Sequence, residues 1–205
     1  MKESRDPIPT LAALFEDVWF RLSNAATRAR DEWHLPVFAS TGSDGCPEAR
    51  IVVLRAVDRE TRHLHCHTDA RSPKVDEIVK SPMVSWVFYE RESRVQLRVG
   101  GKTTVHTSDD IADASWAATE LSSRRCYLAP HAPSETLSEW NPNLPPDLLK
   151  SAPVEEESLP GRAHFAVLRT HIQWMERLEL HHAGHIRSRW TWSDDGEVAG
   201  RWLAP

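Results

Sequence analysis

Short segments rich in β-branched and aromatic residues, separated by turn signals, recur along most of this chain. Such segments predict β-strands, because branched and aromatic side chains pack well on a pleated surface. The predicted strands cover residues 35–41, 49–57, 63–68, 83–89, 94–104, 163–169, 173–180, 186–192 and 199–203. Turn signals at residues 43–45, 58–61 and 194–196 favour antiparallel pairing of neighbouring strands. We therefore predict a mainly β fold, a closed antiparallel barrel with helices packed on its outside.

Three helices are predicted between these strands. In the first of them, apolar residues recur at i, i+3, i+4 and i+7, which predicts one buried face. In the second, a serine is followed by a proline that can occupy the first turn without losing a hydrogen bond. The predicted helices cover residues 10–32, 73–80 and 109–121, with Thr10, Ser72 and Ser108 as their N-caps.

The stretch from residue 129 to residue 161 differs in composition from the rest of the chain. It holds seven of the 14 prolines and the acidic run Glu155–Glu157. We predict a long loop or lid here, with a short helix near Glu135. Because the part that follows is too short for a separate domain, residues 1–205 are predicted to form a single domain.

Composition and charge exclude several classes of protein. A formal charge of −5 and a pI near 6.1 argue against a general nucleic-acid binder. No apolar run approaches the roughly 20 residues needed to span a bilayer. The first ten residues also lack the apolar core of a signal peptide. We expect a cytoplasmic protein without nucleic-acid or membrane partners.

Residues 67–74 and Arg50 carry groups that suit a phosphate. The segment lies where a strand gives way to a helix, and a helix start offers free backbone N–H groups and the positive end of the helix dipole. Lys74 and Arg50 supply positive charges, and Ser72 and Thr68 supply hydroxyls. Arg71 is a further cation that either contributes or points to water. Together these residues predict a site for a phosphate dianion.

Residues near this phosphate site suit the remaining parts of a flavin mononucleotide, FMN. Its flat ring needs an apolar slot, which Val52, Val53 and Leu54 can line. The pyrimidine edge of the ring needs donors and acceptors, and Gln96 offers both. The order of these groups along the chain predicts an FMN site.

The same residues resemble the pyridoxamine 5′-phosphate oxidase family of FMN-binding split barrels. The similar segments are RIVVLR at 50–55, HTDARSPK at 67–74, VQLRVGGKT at 95–103, HIRSR at 185–189 and RWLAP at 201–205. The resemblance covers most of residues 35–205 and implies an antiparallel FMN-binding split barrel. It also implies a homodimer with FMN at the subunit interface. The implied flavin contacts are Arg50, Ile51, Val52, Val53, Leu54, Arg55, His67, Thr68, Ser72, Lys74, Gln96 and Arg189.

The chain departs from the family pattern near the flavin. The family often has an arginine directly before the lysine of the phosphate loop, and Pro73 occupies that place here. Arg71 lies nearby as a substitute. An aromatic residue that is common before the C-terminal motif is replaced around Leu178–Glu179.

The implied substrate site departs further from the family. The resemblance places substrate contacts at Tyr127, Ser134, His185 and Arg187. The family's phosphate-binding arginine falls on Pro130 or His131, and its Arg-x-His pair is reversed in His185-x-Arg187. A second phosphate would therefore lack its strongest anchor. We expect the flavin site to be retained and the substrate site to be changed.

These observations predict an FMN-dependent oxidoreductase that acts on an unknown small molecule, with no catalytic residue identified. Arg189 or a strand N–H is the candidate to stabilise the reduced flavin. Two alternatives remain open, an authentic pyridoxamine/pyridoxine 5′-phosphate oxidase and a non-catalytic flavin- or haem-binding protein. His63, His65 and His67 alternate along one strand and could share a metal ion. Because no carboxylate or cysteine is clearly paired with them, no metal is assigned.

Overall fold

The computed structural model describes residues 9–193 and 195–205. Residues 1–8, on which the signal-peptide argument rests, and Asp194 of the predicted last turn lie outside the described residues. In the described part, nine strands form one antiparallel sheet. The strands are β1 Val37–Thr41, β2 Pro47–Ile51, β3 Ala56–Asp58, β4 His63–Asp69, β5 Met83–Glu90, β6 Val95–His106, β7 Phe165–Glu179, β8 Ile186–Trp192 and β9 Val198–Leu203.

Short helices connect and cover the sheet. The α-helices are α1 Leu11–Thr27, α2 Pro73–Lys80, α3 Asp110–Ala117, α4 Leu121–Arg124 and α5 Glu155–Ser158. The 3₁₀ turns are Glu32–His34, Arg125–Leu128, Pro146–Leu148 and Leu159–His164. The predicted mainly β fold with peripheral helices is confirmed. None of the helices in the described ranges is long and apolar enough to cross a membrane.

The strands follow the order β2-β1-β5-β6-β7-β4-β3, and β8 and β9 extend the sheet from the second half of β7. The two ends of this path are joined by residues 52–55. Val52 and Leu54 donate their N–H groups to carbonyls that precede β1, at 3.0 and 2.9 Å, and Arg55 donates to His65 of β4 at 2.8 Å. This segment therefore closes the barrel. The single strand predicted over residues 49–57 is wrong, because Val52 and Leu54 bond to residues that precede β1 whereas Arg55 bonds to β4.

The barrel interior is built from cross-strand partners on five adjacent strands. One such row, fully buried, consists of Phe38, Trp86, Val99, Met175 and Trp190. Burial of each of these side chains contributes about 1.5–3 kcal/mol. Helix α1 packs its predicted apolar face on this core. The residues that alternate with this row point to the outer face of the sheet.

The predicted N-cap positions are confirmed for two of the three helices, although only Thr10 makes the capping hydrogen bond with its side chain. Thr10 accepts from the N–H of Ala13 at 3.1 Å, and Ser72 is the N-cap residue of α2. The third prediction is wrong, because Asp109 and not Ser108 accepts from the N–H of Ala112 at 3.0 Å.

Three element boundaries also differ from the predictions. Helix α1 ends at Thr27 rather than at residue 32, because Arg28 leaves the helical conformation. No helix forms near Glu135, whose carboxylate instead accepts from the N–H of Ala132 in a turn. The strands predicted over residues 163–169 and 173–180 are one continuous strand, β7, which carries a bulge at Gln173 opposite Gly100 and Gly101 of β6.

Candidate functional site

Three of the predicted residues meet where β4 ends and α2 begins. The Nζ atom of Lys74 donates to Thr68 Oγ1 at 3.0 Å and to Ser72 Oγ at 2.7 Å. Thr68 and Ser72 are buried, with 9% and 5% of their surfaces exposed. The Ser72 hydroxyl does not cap α2, so it is free to hold the lysine. We call Arg50, Thr68, Ser72 and Lys74 the cradle.

Lys74 is a half-buried cation with neutral partners. Within residues 9–193 and 195–205 it forms no salt bridge with a carboxylate. Burial lowers the pKa of Lys74, and the positive charge of Arg50 lowers it further. Arg50 is therefore close enough to act on it electrostatically. An anion bound between these two side chains would offset both effects and would raise the pKa of Lys74 again.

Arg50 is held by residues that were not predicted. Its guanidinium donates to Ser40 Oγ at 2.5 Å, and its NH2 atom lies 3.4 Å from Glu77 Oε2. Ser40 in turn donates to the same Glu77 oxygen at 2.8 Å. These contacts fix Arg50 beside α2. Glu77 could have been found from the sequence, because it lies one helical turn after Lys74.

Arg71 does not take the place of the missing arginine before Lys74. Its guanidinium donates to both carboxylate oxygens of Asp69, at 3.0 and 2.7 Å, and to the carbonyl oxygen of Ala129 at 3.0 Å. The expectation that Arg71 joins the phosphate site or points to water is therefore wrong. It ties the end of β4 to the beginning of the 129–161 segment.

The segment from residue 51 to residue 55 presents its residues in different directions. Ile51 is exposed on the outside, Leu54 is fully buried, and Val52 and Val53 are half-buried. The N–H groups of Val52 and Leu54 are used in closing the barrel. No hydrogen bond from the N–H of Val53 is found within the described residues, so this donor is available to a ligand.

Arg55 and His67 line a separate cleft of about 420 Å³ together with His34 and His65. Burial, with a smaller contribution from a nearby arginine in each case, lowers the pKa of His67 to about 3 and that of His65 to about 4. These imidazoles are therefore neutral at neutral pH. Because successive residues of a strand face opposite sides, His67 faces away from Thr68 of the cradle.

Gln96 and Arg189 lie on the outer face of the sheet. Arg98, which faces the same side as Gln96, pairs with Glu176 of β7, and Glu176 pairs with Arg189 of β8. Arg50, by contrast, pairs with the inward-facing Phe38. Within one chain, the predicted cofactor residues thus fall on two sides of the sheet.

An unpredicted cluster surrounds Arg189. Arg98, Arg187 and Arg189 all lie within 3.6 Å of the carboxylate of Glu176, which is buried. The guanidinium of Arg189 stacks on the ring of Trp174 at 4.6 Å. We call this group the arginine cluster. No local sequence signal marks it, because its members come from three strands.

The predicted substrate residues are not brought together within one chain. Tyr127 is buried against Trp116 and Phe165 at the beginning of β7, and its burial raises its pKa. Arg187 pairs with Leu178 near the end of β7. Phe165 and Leu178 are 13 positions apart, which corresponds to about 40 Å of strand.

The two other predicted substrate residues are exposed. Ser134 lies in the 129–161 segment with a φ of 68°. His185 lies before β8, where its Nδ1 atom accepts from the N–H of His181 at 3.1 Å.

The three alternating histidines have neighbours that do not suit a metal ion. The His63 ring lies 5.0 Å from that of His171, and an Arg169 nitrogen lies 3.3 Å from His63 Nδ1. In the described ranges, no three His, Cys, Asp or Glu side chains form a group that could hold a metal.

This architecture is shared with known proteins. A family model described as "Pyridoxamine 5′-phosphate oxidase, FMN-binding domain" matches residues 17–107. Pyridoxine/pyridoxamine 5′-phosphate oxidase of Paraburkholderia phytofirmans is 35% identical over 108 residues, which are 53% of this chain and 48% of that protein. Pyridoxine/pyridoxamine 5′-phosphate oxidase 2 of Arabidopsis thaliana is 29% identical over 108 residues, 49% of this chain and 54% of that protein. The matches span about half the length of these relatives.

Two solved structures have the same fold. A pyridoxamine 5′-phosphate oxidase-related, FMN binding protein from Nostoc punctiforme gives a TM-score of 0.70 at 21% identity, over 97% of this chain and 98% of that one. Over the matched residues 17–107 the chain is similar to the pyridoxamine 5′-phosphate oxidase-like family of FMN-binding split barrels. PhzG from Burkholderia lata, in complex with tetrahydrophenazine-1-carboxylic acid, gives 0.69 at 18% identity, over 98% of this chain and 95% of that one. Likeness at these identities concerns the fold alone.

The family match does not cover all the predicted residues equally. Residues 17–107 contain the whole cradle, the barrel-closing segment and Gln96. The matched range ends before Tyr127 and before the C-terminal residues 185–189. The part of the chain that resembles an FMN-binding domain is therefore the part that holds the cradle.

Proposed function

We propose that this chain binds FMN and is an FMN-dependent oxidoreductase for a small molecule. The observation that carries the proposal is the cradle, in which the ammonium of Lys74 is half-buried, hydrogen-bonded to two hydroxyls and close to Arg50. A half-buried cation of this kind is stabilised by a counter-charge. The phosphate of FMN supplies two negative charges and several acceptor oxygens. The match to an FMN-binding domain over the same residues supports the assignment.

The chain's own residues would bind and orient the cofactor. Lys74 and Arg50 hold the phosphate, and the N–H groups at the beginning of α2 add to its stabilisation. The half-buried side chains of Val52 and Val53 offer an apolar wall for the ring. When bound, FMN supplies the capacity to accept or donate a hydride. Arg189 provides a positive charge that stabilises negative charge on the ring edge.

We further propose that the flavin site is completed by a second copy of the chain. Arg50 faces inward, whereas Gln96 and Arg189 face outward, so one chain does not enclose a flavin with all of them. The same outer face exposes apolar side chains that a partner could cover, among them Ile51 at 66% exposure. A two-fold symmetric dimer brings such a face against itself.

Subunit mixing tests the shared site. Lys74→Ala and Arg189→Ala dimers should each bind FMN weakly. After the two are unfolded and refolded together, random pairing should restore tight binding in about a quarter of the sites, because half of the dimers then hold one intact site. If mixing restores no tight binding although mixed dimers form, both residues act within the same chain.

The substrate is proposed to be a small molecule other than pyridoxamine 5′-phosphate. His131, one of two positions that correspond to the family's phosphate-binding arginine, is paired with Glu135 at 2.9 Å. Tyr127 is buried between aromatic rings. Neither residue offers a strong phosphate anchor.

The proposed function is tested on the purified protein in two steps. Its absorption spectrum should show flavin bands, and heat should release a compound identified as FMN. A colourless protein that also fails to bind added FMN would refute the proposal. In anaerobic mixing, pyridoxamine 5′-phosphate should not reduce the bound flavin. Rapid reduction would show instead that the chain is an authentic oxidase of that substrate.

A further inference from the structure

Glu176 is a buried carboxylate beneath three arginines. Its Oε1 atom accepts from Arg187 NH2 at 2.8 Å and from Arg98 NH1 at 3.3 Å, and its Oε2 atom lies 3.6 Å from Arg189 NH1. Only 4% of its surface is exposed. Removal of a carboxylate from water is costly unless cations and donors surround it, and the arginine cluster meets that requirement.

The position of Glu176 in the sheet explains why this residue contacts all three arginines. Arg98, Glu176 and Arg189 are direct cross-strand partners on β6, β7 and β8. Glu176 is in the middle, so Arg98 and Arg189 are two strand spacings, about 10 Å, apart. Arg187 precedes Arg189 by two residues and faces the same side. The single carboxylate therefore connects cations that would otherwise repel one another.

These contacts leave most of the positive charge uncompensated. Three arginines share one carboxylate, which leaves an excess of two positive charges. In the described part of the chain, Arg189 forms no hydrogen bond with the protein and rests on the face of Trp174. The Nε atom of Arg189 is buried without a partner, so its terminal N–H groups are the donors that stay available to a ligand while the position of the side chain is already fixed.

We propose that Glu176 is a positioning residue, which holds Arg187 and Arg189 in the orientation that they need to contact the flavin and its substrate. This inference rests on the proposed function, in which Arg189 contacts FMN. Glu176 itself touches neither the cofactor nor the substrate in this account. Its effect passes through the arginines.

Two other roles of Glu176 make different predictions. If Glu176 only reduced the positive charge of the cluster, its replacement by glutamine would strengthen the binding of an anion. If it only stabilised the fold, the loss of affinity would be independent of Arg189. A positioning role predicts that affinity falls although the net positive charge rises, and that the loss depends on Arg189.

FMN titration of four proteins separates these roles. They are the wild type, Glu176→Gln, Arg189→Ala and the double variant, each measured by quenching of flavin fluorescence. We expect Glu176→Gln to weaken FMN binding about tenfold. The double variant should bind within about twofold of Arg189→Ala alone, because residues that act through one another are not additive.

Glu179→Gln is the matched control. Glu179 lies on the same strand and is paired with Arg177 at 2.9 Å, but it faces the other side of the sheet. Its FMN affinity should stay within about twofold of the wild type. If Glu176→Gln fails to fold, Glu176→Asp keeps the charge and withdraws the carboxylate by one methylene, and it should give a smaller loss with the same dependence on Arg189.

The titrations distinguish failure of the positioning role of Glu176 from failure of the proposed function. If Arg189→Ala weakens FMN binding and Glu176→Gln does not, Glu176 is not a positioning residue, and the proposed function stands. If the two losses multiply in the double variant, Glu176 acts independently of Arg189, and the inference is again refuted. If the folded wild type binds no FMN, the proposed function fails and the inference fails with it.

Discussion

The cradle and the arginine cluster both concentrate positive charge, but they hold it in opposite ways. In the cradle, Lys74 is fixed by the hydroxyls of Thr68 and Ser72, which carry no charge. In the arginine cluster, three cations are fixed by the carboxylate of Glu176. The cradle thus leaves the full charge of the lysine to a ligand. In the arginine cluster, the carboxylate of Glu176 neutralises one of the three positive charges and fixes the geometry of the arginines.

This difference suits the two parts of a flavin nucleotide. A phosphate is a compact dianion, and an ammonium is a compact charge that can adapt to its oxygens. The ring edge and the substrate require directed donors, and the guanidinium is a rigid planar group whose orientation matters. We therefore expect the cradle to make the larger contribution to cofactor affinity, and the cluster to orient the ring and the substrate and to make a smaller contribution to that affinity.

Removal of both cradle cations should have the largest effect. Arg50→Ala together with Lys74→Ala should weaken FMN binding at least about tenfold, because each charge-assisted hydrogen bond contributes about 1.5–3 kcal/mol. Fluorescence titration measures the loss. Lys80→Ala is the control, since Lys80 is exposed at the other end of α2 and should leave affinity unchanged. Equal affinities of all three proteins would contradict the assignment of the cradle to the phosphate.

Overpacking at Gly100 and Gly101 of β6, opposite the bulge of β7, should separate effects on stability from effects on the arginine cluster. A methyl group at Gly101 would lie 1.9 Å from the backbone oxygen of His171, whereas one at Gly100 would meet the ring of Trp174 at 2.2 Å. A side chain can move more easily than backbone, so we expect Gly101→Ala to cost about 3 kcal/mol and Gly100→Ala about 1 kcal/mol. Thermal unfolding checks the order.

Gly100→Ala, the less destabilising of these two substitutions, should nevertheless disturb the arginine cluster more than Gly101→Ala does. Displacement of Trp174 by Gly100→Ala removes the ring on which Arg189 rests. At a temperature where both variants are folded, Gly100→Ala should therefore show a clear loss of FMN affinity. Normal affinity in a folded Gly100→Ala protein would show that the stacking does not orient Arg189.

FMN affinity should fall as the pH rises above neutrality. Burial lowers the pKa of Lys74 from its ordinary value of 10.5, so the free protein loses this charge at a lower pH than an exposed lysine does. The native state then binds fewer protons than the unfolded state, and the stability of the free protein rises with pH across that window. Bound phosphate favours the charged lysine and should reverse this trend.

Lys74→Arg is the control for the pH dependence. A guanidinium stays protonated throughout this range, so the affinity of the variant should be flat between neutral pH and the ordinary pKa of lysine. Titrations with FMN at several pH values measure both profiles. The same decline in the variant and in the wild type would assign the pH dependence to a group other than Lys74.

Arg71→Ala should have the smallest effect on the cofactor. Its guanidinium is engaged by Asp69 and by the carbonyl of Ala129, so it is not available to the phosphate. We expect FMN affinity within about twofold of the wild type. Limited proteolysis should cut the 129–161 segment faster, because its first anchor is lost. A loss of FMN affinity as large as that of the cradle variants would contradict this role.

The cradle could be predicted from the sequence because its signals are local. Thr68, Ser72 and Lys74 lie within seven residues, and Ser72 followed by Pro73 marks the helix start directly. Arg50 comes close to this segment only when the strands fold into a barrel. The alternation of predicted strands and turns already indicated such a barrel. The fold class could be predicted for the same reason.

The arginine cluster could not be predicted, because it depends on pairing between distant strands. Arg98 and Glu176 are 78 residues apart in the sequence. A glutamate beside apolar residues in a strand gives no sign of which cations will lie opposite it. The break at residues 52–55 is similar, since Val52 and Val53 favour a strand and only closure of the barrel redirects their hydrogen bonds. The choice between Ser108 and Asp109 as a cap depended on a single hydrogen bond.

The central claim is that the cradle recognises the phosphate of FMN, and discrimination between FMN and riboflavin tests it most directly. Riboflavin has the same ring and lacks only the phosphate. The wild type should bind FMN at least about tenfold more tightly than riboflavin, and the Arg50→Ala, Lys74→Ala double variant should lose most of that preference, because only charge-assisted contacts to the phosphate differ between the two ligands. An unchanged preference in the double variant would show that the phosphate is bound elsewhere.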